Sequence, residues 1–322
     1  MVKENLAYAN QKRGLGKIVS RCGIYILLVI LLAIMGILES SFFSGSNLIN
    51  ILRQTSTYAI LAFGMTFVVL GGYIDLSVGA VLALCSCVVA LLMKAGINMW
   101  LAVILAIIAG GICGFVNGFC LAKLKVPFFI CTAGMMYIAR GLALVITNEN
   151  PVSGLPEEFN IFGNKPEWVI PPQVIIAIIV FFVCFFILKY TKMGRYTYAV
   201  GSSQQAAKLS GINVDKVNIW IFIIAGLCAG IAGVVQASRL KIGSPIIADG
   251  YELDTIAAVA IGGASLLGGE GSIVRTVIGA LILTVIRVGL NMLGIQTSMQ
   301  QVVIGLVIIV VVALDMRGKK RS

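Results

Sequence analysis

Long apolar runs, cut by charged residues and by Gly- and Pro-rich breaks, dominate the chain. Reading between the charges gives ten of them, at about 22–38, 57–72, 76–93, 99–122, 128–147, 169–188, 217–237, 252–268, 273–290 and 299–314. A helix needs about 20 mostly apolar residues to cross the hydrocarbon of a bilayer, with a range of roughly 17–25. The pattern therefore predicts an all-α, polytopic membrane protein of about ten transmembrane helices. The second and third runs belong to one stretch divided by GGYIDLSVGA at 71–80, and the eighth is rich in Ala and Gly. The first run follows a basic tail and has no small-residue cleavage site after it. It reads as a retained span rather than a removable signal. The expected organisation is a tail at 1–21, one transmembrane unit at 22–314 with a polar loop at 189–216, and a tail at 315–322.

Composition agrees. Of 322 residues, 59% are hydrophobic, 11% are charged and none is His. An ordinary soluble domain is about 45–50% apolar and about 25% charged, so a soluble globular protein is excluded. The net charge of +11 could suggest a nucleic-acid binder, but no basic stripe with interleaved aromatics exists outside short loops.

The charge instead reports orientation. Ten spans place both termini on one side. If that side is cytoplasmic, it holds five bases of the first tail, Lys123 and Lys125, five between Lys189 and Lys216, Arg275, and four of the last tail, seventeen in all. The other side holds five: Arg53, Lys94, Lys165, Arg239 and Lys241. Arg140 and Arg287 fall inside runs. Cytoplasmic loops of membrane proteins carry excess Lys and Arg, so both termini are expected in the cytoplasm of a bacterial plasma membrane. Acids follow the reverse bias, with Glu149, Glu157, Glu158 and Glu167 in the longest outer loop. Topology alone explains that bias, and a docking surface for a soluble extracytoplasmic partner explains it equally.

Little catalytic chemistry is visible. The cysteines lie in apolar runs, where Cys behaves as a small hydrophobe. No G-x-x-x-x-G-K-[ST] phosphate loop occurs, since GGEG at 268–271 lacks the Lys. A nucleophile–base pair is also missing, which argues against an intramembrane enzyme. A proton-coupled carrier usually has acid or His relays within its spans, and such residues are few here. Two Gly-interrupted segments, 70–80 and 267–280, point to the transport site. Asp75, Ser77, Asn117, Arg140 and Asn291 are the candidate path residues. Asp75 could equally cap the third span, and Arg140 suits pairing or positioning better than solute contact. Gly110, Gly111, Gly114 and Gly118 recur at helical spacing and suit close helix packing.

The loop at 189–216 contains a predicted helix at 202–210. Ser202 or Ser203 can cap it, and Gly211 can close it in a left-handed turn. Ala206, Leu209 and Ser210 share one face, which could dock into a groove of a cytoplasmic partner.

Here the residues carry a resemblance. GRYTYAVGSSQQAAKLSGI at 194–212 resembles the cytoplasmic coupling segment of permease subunits in sugar-importing ABC transporters of the ribose and galactose type. SNLINILRQTS at 46–56, GMTFVVLGGYIDLSVGA at 64–80 and GYELDTIAAVAIGGASLLGGEGSIVRTVIGALIL at 250–283 resemble the same family. Ser202 and Ser203 stand where that family often has Gly-Asn, and Tyr73 where Gly usually precedes Ile-Asp. The resemblance implies a non-enzymatic permease for a monosaccharide, ribose favoured. It implies a second copy of the chain, a cytoplasmic ATPase carrying ATP and Mg, and an extracytoplasmic sugar-binding protein, with no cofactor in this chain and no nucleic acid. It also implies ATPase-coupling roles for Arg195, Gly201, Ser202, Ala206, Ala207, Leu209, Ser210 and Gly211. A secondary sugar or nucleoside transporter is the alternative.

Overall fold

The structure, a computed structural model, describes residues 23–163, 168 and 170–319. The tail at 1–21, residues 320–322, and Lys165, Pro166 and Glu167 of the longest loop lie outside the described residues. The chain is helical: α1 (Gly23–Leu38), α2 (Gly45–Leu70), α3 (Val78–Lys94), α4 (Met99–Ala122), α5 (Phe128–Thr147), α6 (Pro172–Tyr190), α7 (Lys192–Ser202), α8 (Gln204–Leu209), α9 (Val214–Leu240), α10 (Tyr251–Ile261), α11 (Ile273–Met292) and α12 (Thr297–Lys319). No strand occurs among the described residues. Each apolar run of the sequence falls on one of these helices. Five of them, α4, α5, α6, α9 and α11, are long and apolar enough to cross a membrane. The expected tail at 315–322 begins inside α12.

Polar residues punctuate the helices where the chain turns. Ser44 accepts the Asn47 N–H at the start of α2. Asn98 accepts that of Trp100 before α4, and Asn213 that of Lys216 before α9. Each satisfies one of the amides that a first turn leaves unpaired. Asn148, in the left-handed region, ends α5.

Helix α9 is the centre of the bundle and packs on α2, α3 and α4. Its seam with α4 is built from glycine. A Cβ on Gly118 would lie 2.7 Å from Ile219 Cα, one on Gly114 3.1 Å from Ile223 Cα, one on Gly110 3.0 Å from Gly230 Cα, and one on Gly230 2.9 Å from Ile107 Cα. Numbers rise on one helix as they fall on the other, so the pair is antiparallel. Small residues let backbones approach closely enough for dispersion to hold helices together without a hydrophobic drive.

Loops gather at two ends of the bundle. At one end, Lys123 and Lys125 reach Asp215 at 3.3 and 3.0 Å, and Gly269 N–H donates to Leu70 O at 2.9 Å. At the other, Val152 and Gly243 pair in an isolated bridge.

The eighth run departs from expectation. Helix α10 has 11 residues, about 16 Å at 1.5 Å per residue, against about 30 Å of hydrocarbon. Gly262 and Gly263 end it, the latter at φ +79°. The segment at 241–250, expected as an external loop, descends beside α3. A Cβ on Gly243 would sit 2.5 Å from Ser86 O, and one on Gly79 would sit 2.6 Å from Ala248 O. That path covers roughly 10 Å of α3. Positive φ at Lys241, Ala248 and Gly250, with Pro245, prevents a helix there. An unwound piece followed by a short helix thus stands where a longer helix was expected.

The glycine seam is open to direct test. Gly226→Val, whose Cβ would lie 3.0 Å from Gly114 Cα, overpacks it and should cost about 1–3 kcal/mol or more. Gly134→Ala, with nothing within 4 Å of its Cβ, should be neutral. Thermal unfolding and monodispersity in detergent compare the two.

Candidate functional site

The segment at 189–216 folds as two helices where the sequence suggested one. Thr191 accepts the Gly194 N–H and opens α7. Ser203, extended at φ −163°, accepts the Ala206 N–H and opens α8, so Ser203 rather than Ser202 is the cap. Ser202 closes α7 and donates to Tyr198 O at 2.9 Å. Gly211 takes φ +80° as the turn requires. Ala206 and Ser210 are exposed, and Leu209 is 90% exposed, whereas Ala207 is buried. Arg195 is also exposed.

The two Gly-rich breaks meet α7 at one point. A Cβ on Gly201 would strike the Leu70 carbonyl and lie 2.6 Å from Gly269 N. One on Gly268 would lie 2.8 Å from both Gly201 O and Gly72 Cα, and one on Gly269 2.9 Å from Ser202 Cα. Three main chains thus touch where no side chain fits. Hydrogen bonds bracket the contact. Tyr198 donates its hydroxyl to Gly271 O at 3.0 Å, and Gln204 Nε2 donates to Tyr73 Oη at 3.0 Å. Burial pushes the Tyr198 phenol above its ordinary pKa, so it remains a donor at neutral pH. Tyr73 packs between Phe128 and Phe222 at 5.7 and 5.9 Å. Beside the junction, a cavity of about 660 Å³ separates α8 from the α4–α5 turn and α9. Tyr73, Lys125, Gln204, Lys208 and Asp215 line it.

Asp75, Ser77 and Asn117 come together in the middle of the bundle. Asp75 Oδ1 accepts Ser77 N–H at 2.8 Å and Ser77 Oγ–H at 2.6 Å. Asn117 Nδ2 donates to Ser77 Oγ at 3.0 Å. Ser77 stands at the N-cap position of α3 without a side-chain hydrogen bond to the helix, and Asp75, two positions earlier, folds the turn onto it. Asp75 and Ser77 are 2% and 1% exposed, and among the described residues no cation pairs with Asp75.

Arg140 and Asn291 do not join this group. Arg140 donates to Pro245 O and Ile247 O at 2.6 and 2.8 Å, with Asp249 at 4.0 Å. It satisfies carbonyls that the unwound segment cannot pair within itself. Asn291 is exposed near the end of α11, apart from Asp75, Ser77 and Asn117.

One cluster was not anticipated. Arg287 of α11 forms an ion pair with Asp254 of α10, whose side chain is 2% exposed. The Arg287 guanidinium sits 5.9 Å from the centre of the Tyr58 ring, and Tyr58 packs on Tyr251 at 4.6 Å. The sequence signals were separate: Arg287 inside one apolar run and Asp254 just inside another. Among the described residues no group of three His, Cys, Asp or Glu is placed to hold a metal.

Arg140→Met should strand both carbonyls. Hydrogen bonds to a charged donor contribute about 1.5–3 kcal/mol each, so the thermal midpoint should fall by several degrees. Arg140→Lys, able to reach one carbonyl, should lie between wild type and Arg140→Met in the same unfolding assay.

Comparison with known proteins places this geometry. The family described as "Branched-chain amino acid transport system / permease component" matches residues 47–312. The chain is 45% identical over 271 residues to the ribose import permease protein of Escherichia coli (strain K12), covering 83% of this chain and 84% of that one. It is 42% identical over 293 residues to the ribose import permease protein of Bacillus subtilis (strain 168), covering 90% and 91%. It is 40% identical over 271 residues to the D-allose transport system permease protein of Escherichia coli (strain K12), covering 84% and 83%. No solved structure gives a significant match. The matched region holds both breaks, the junction and the α7–α8 segment, and the chain belongs to the branched-chain amino acid transport system / permease component family.

Proposed function

We propose that this chain is the membrane-spanning subunit of an ATP-driven importer, forming the path of a monosaccharide, ribose favoured. The observation that carries this reading is the junction at Gly201. A segment with an exposed, small-residue face on α8 is in main-chain contact with both breaks of the bundle. A lone carrier has no use for such a face. The relatives named for ribose and D-allose import supply the substrate class.

The finer arrangement follows the charge pattern. Ten crossings, counting 241–261 as one composite crossing, put both termini in the cytoplasm together with α7 and α8. Ala206, Leu209 and Ser210 then face a cytoplasmic ATPase, which holds ATP and Mg. Arg195, Gly201, Ser202, Ala207 and Gly211 set the shape and attachment of that surface. Two copies of the chain enclose the path, and an extracytoplasmic binding protein delivers the sugar.

The mechanism is alternating access. Closure of the ATPase pair moves α8 and, through Gly201, the end of α2 and the 262–272 loop. Helices α2, α10 and α11 tilt together, while the α4–α9 seam stays packed. Asp75, Ser77 and Asn117 hold the α2–α3 break as a rigid turn during that motion. The path needs only weak sugar contacts, since tight binding would slow release.

The test is uptake into liposomes. The reconstituted complex should import ribose only with ATP, and loaded binding protein should raise its ATPase rate. Uptake that persists without ATP or without the ATPase chain contradicts the proposal.

A further inference from the structure

The Arg287 cluster lies on α2, α10 and α11, away from the ends of these helices that reach the junction through Leu70 and the α10–α11 loop. Tyr58 is near the middle of α2, Tyr251 and Asp254 are in the first turn of α10, and Arg287 is in the second half of α11. Arg239 of α9 lies within electrostatic reach of Tyr58, Tyr251 and Arg53. Two phenols, one carboxylate and three guanidiniums thus converge inside an apolar bundle. Ionisable groups at such a position are costly and mark solute pathways more often than packing.

Two features separate this cluster from a purely structural ion pair. Nε of Arg53 and Nε of Arg287 are buried and have no hydrogen-bond partner among the described residues. Buried donors are nearly always paired, so these two await an acceptor. The cluster also has an open edge, because the Arg287 side chain is 20% exposed and Tyr251 is half-buried. Its chemistry suits a polyol. Guanidinium N–H groups donate to hydroxyl oxygens, Asp254 accepts from hydroxyl protons, and phenol faces cover sugar C–H surfaces.

We propose that Tyr58, Tyr251, Asp254 and Arg287 form a contact point for a neutral polyhydroxyl solute on the translocation path. This rests on the importer reading. In the arrangement seen here the Asp254–Arg287 pair and the two tilted, packed phenol rings close on each other, and a passing sugar exchanges its hydroxyls for those contacts. Because α2, α10 and α11 also meet at the junction, movement there remakes the contact point in each cycle.

The experiment uses the full complex in liposomes, with ribose and 2-deoxyribose presented by the same binding protein. Wild-type complex without ATP-dependent uptake removes the importer reading, and this proposal with it. Given wild-type uptake, Arg287→Lys and Tyr251→Leu should lower ribose transport about tenfold and change the ribose to 2-deoxyribose ratio, with stimulated ATPase activity retained. Tyr58→Phe, which removes one hydroxyl only, should shift the same ratio and covers the case in which the larger changes prevent assembly. A parallel fall of both sugars with an unchanged ratio is the mark of a structural role and overturns the proposal. So does a ratio unchanged in all three variants, or inhibition by ribonate that these substitutions abolish, which would assign the cluster to an anion.

Discussion

Contact between Gly201, Leu70 and Gly269 constrains the whole α7–α8 end of the bundle. At that point three main chains touch with no side chain between them. A contact of this kind has little freedom to slide, because each carbonyl is already engaged or blocked. Leu70 O accepts from Gly269 N–H, and Tyr198 and Gln204 fasten the flanks. Interfaces packed this closely shift between discrete arrangements rather than deforming gradually. Force applied to α8 therefore reaches α2 and the α10–α11 loop directly.

The opposite property belongs to the α4–α9 seam. Gly110, Gly114, Gly118, Gly226 and Gly230 bring two long helices into contact over about three turns, and α2 and α3 pack on the same α9. This part of the molecule has no break to bend at. Unwound segments lie elsewhere, at 71–77 and 241–250, and each is held by polar side chains. Asp75, Ser77 and Asn117 secure the first, and Arg140 secures the second. Two unwound segments thus interrupt the bundle, and their hydrogen bonds are supplied from neighbours.

Much of the helical pattern was legible in the sequence, because each apolar run is long and bounded by charge. Two elements were not. Helix α7 alternates Lys192, Gly194 and Arg195 with Tyr196 and Tyr198 over a short span, so its apolar face is too brief to stand out. Helix α10 was read too long because Ala257 to Gly263 is apolar in composition, while the glycines that end the helix only weaken that signal. The α8 cap and the Gly211 turn were legible because caps and left-handed turns depend on neighbouring residues alone. The site was legible only as residue types. Asp75, Ser77 and Asn117 proved to be neighbours, whereas Asn291 did not, since helix rotation decides which polar group faces which. Arg287 and Asp254 are 33 positions apart, and nothing local links them.

The central claim is that α8, the end of α2 and the 262–272 loop move as one body. The most direct measurement is the distance between spin labels at Gln205 of α8 and Leu267 of the loop, both exposed. It would be read by pulsed electron resonance with and without ATP, in the complex with its native cysteines replaced. The account predicts that this distance stays constant while that from Gln205 to Lys125, across the cavity beside the junction, changes. A Gln205–Leu267 distance that changes on ATP binding while Gln205–Lys125 stays fixed would contradict it.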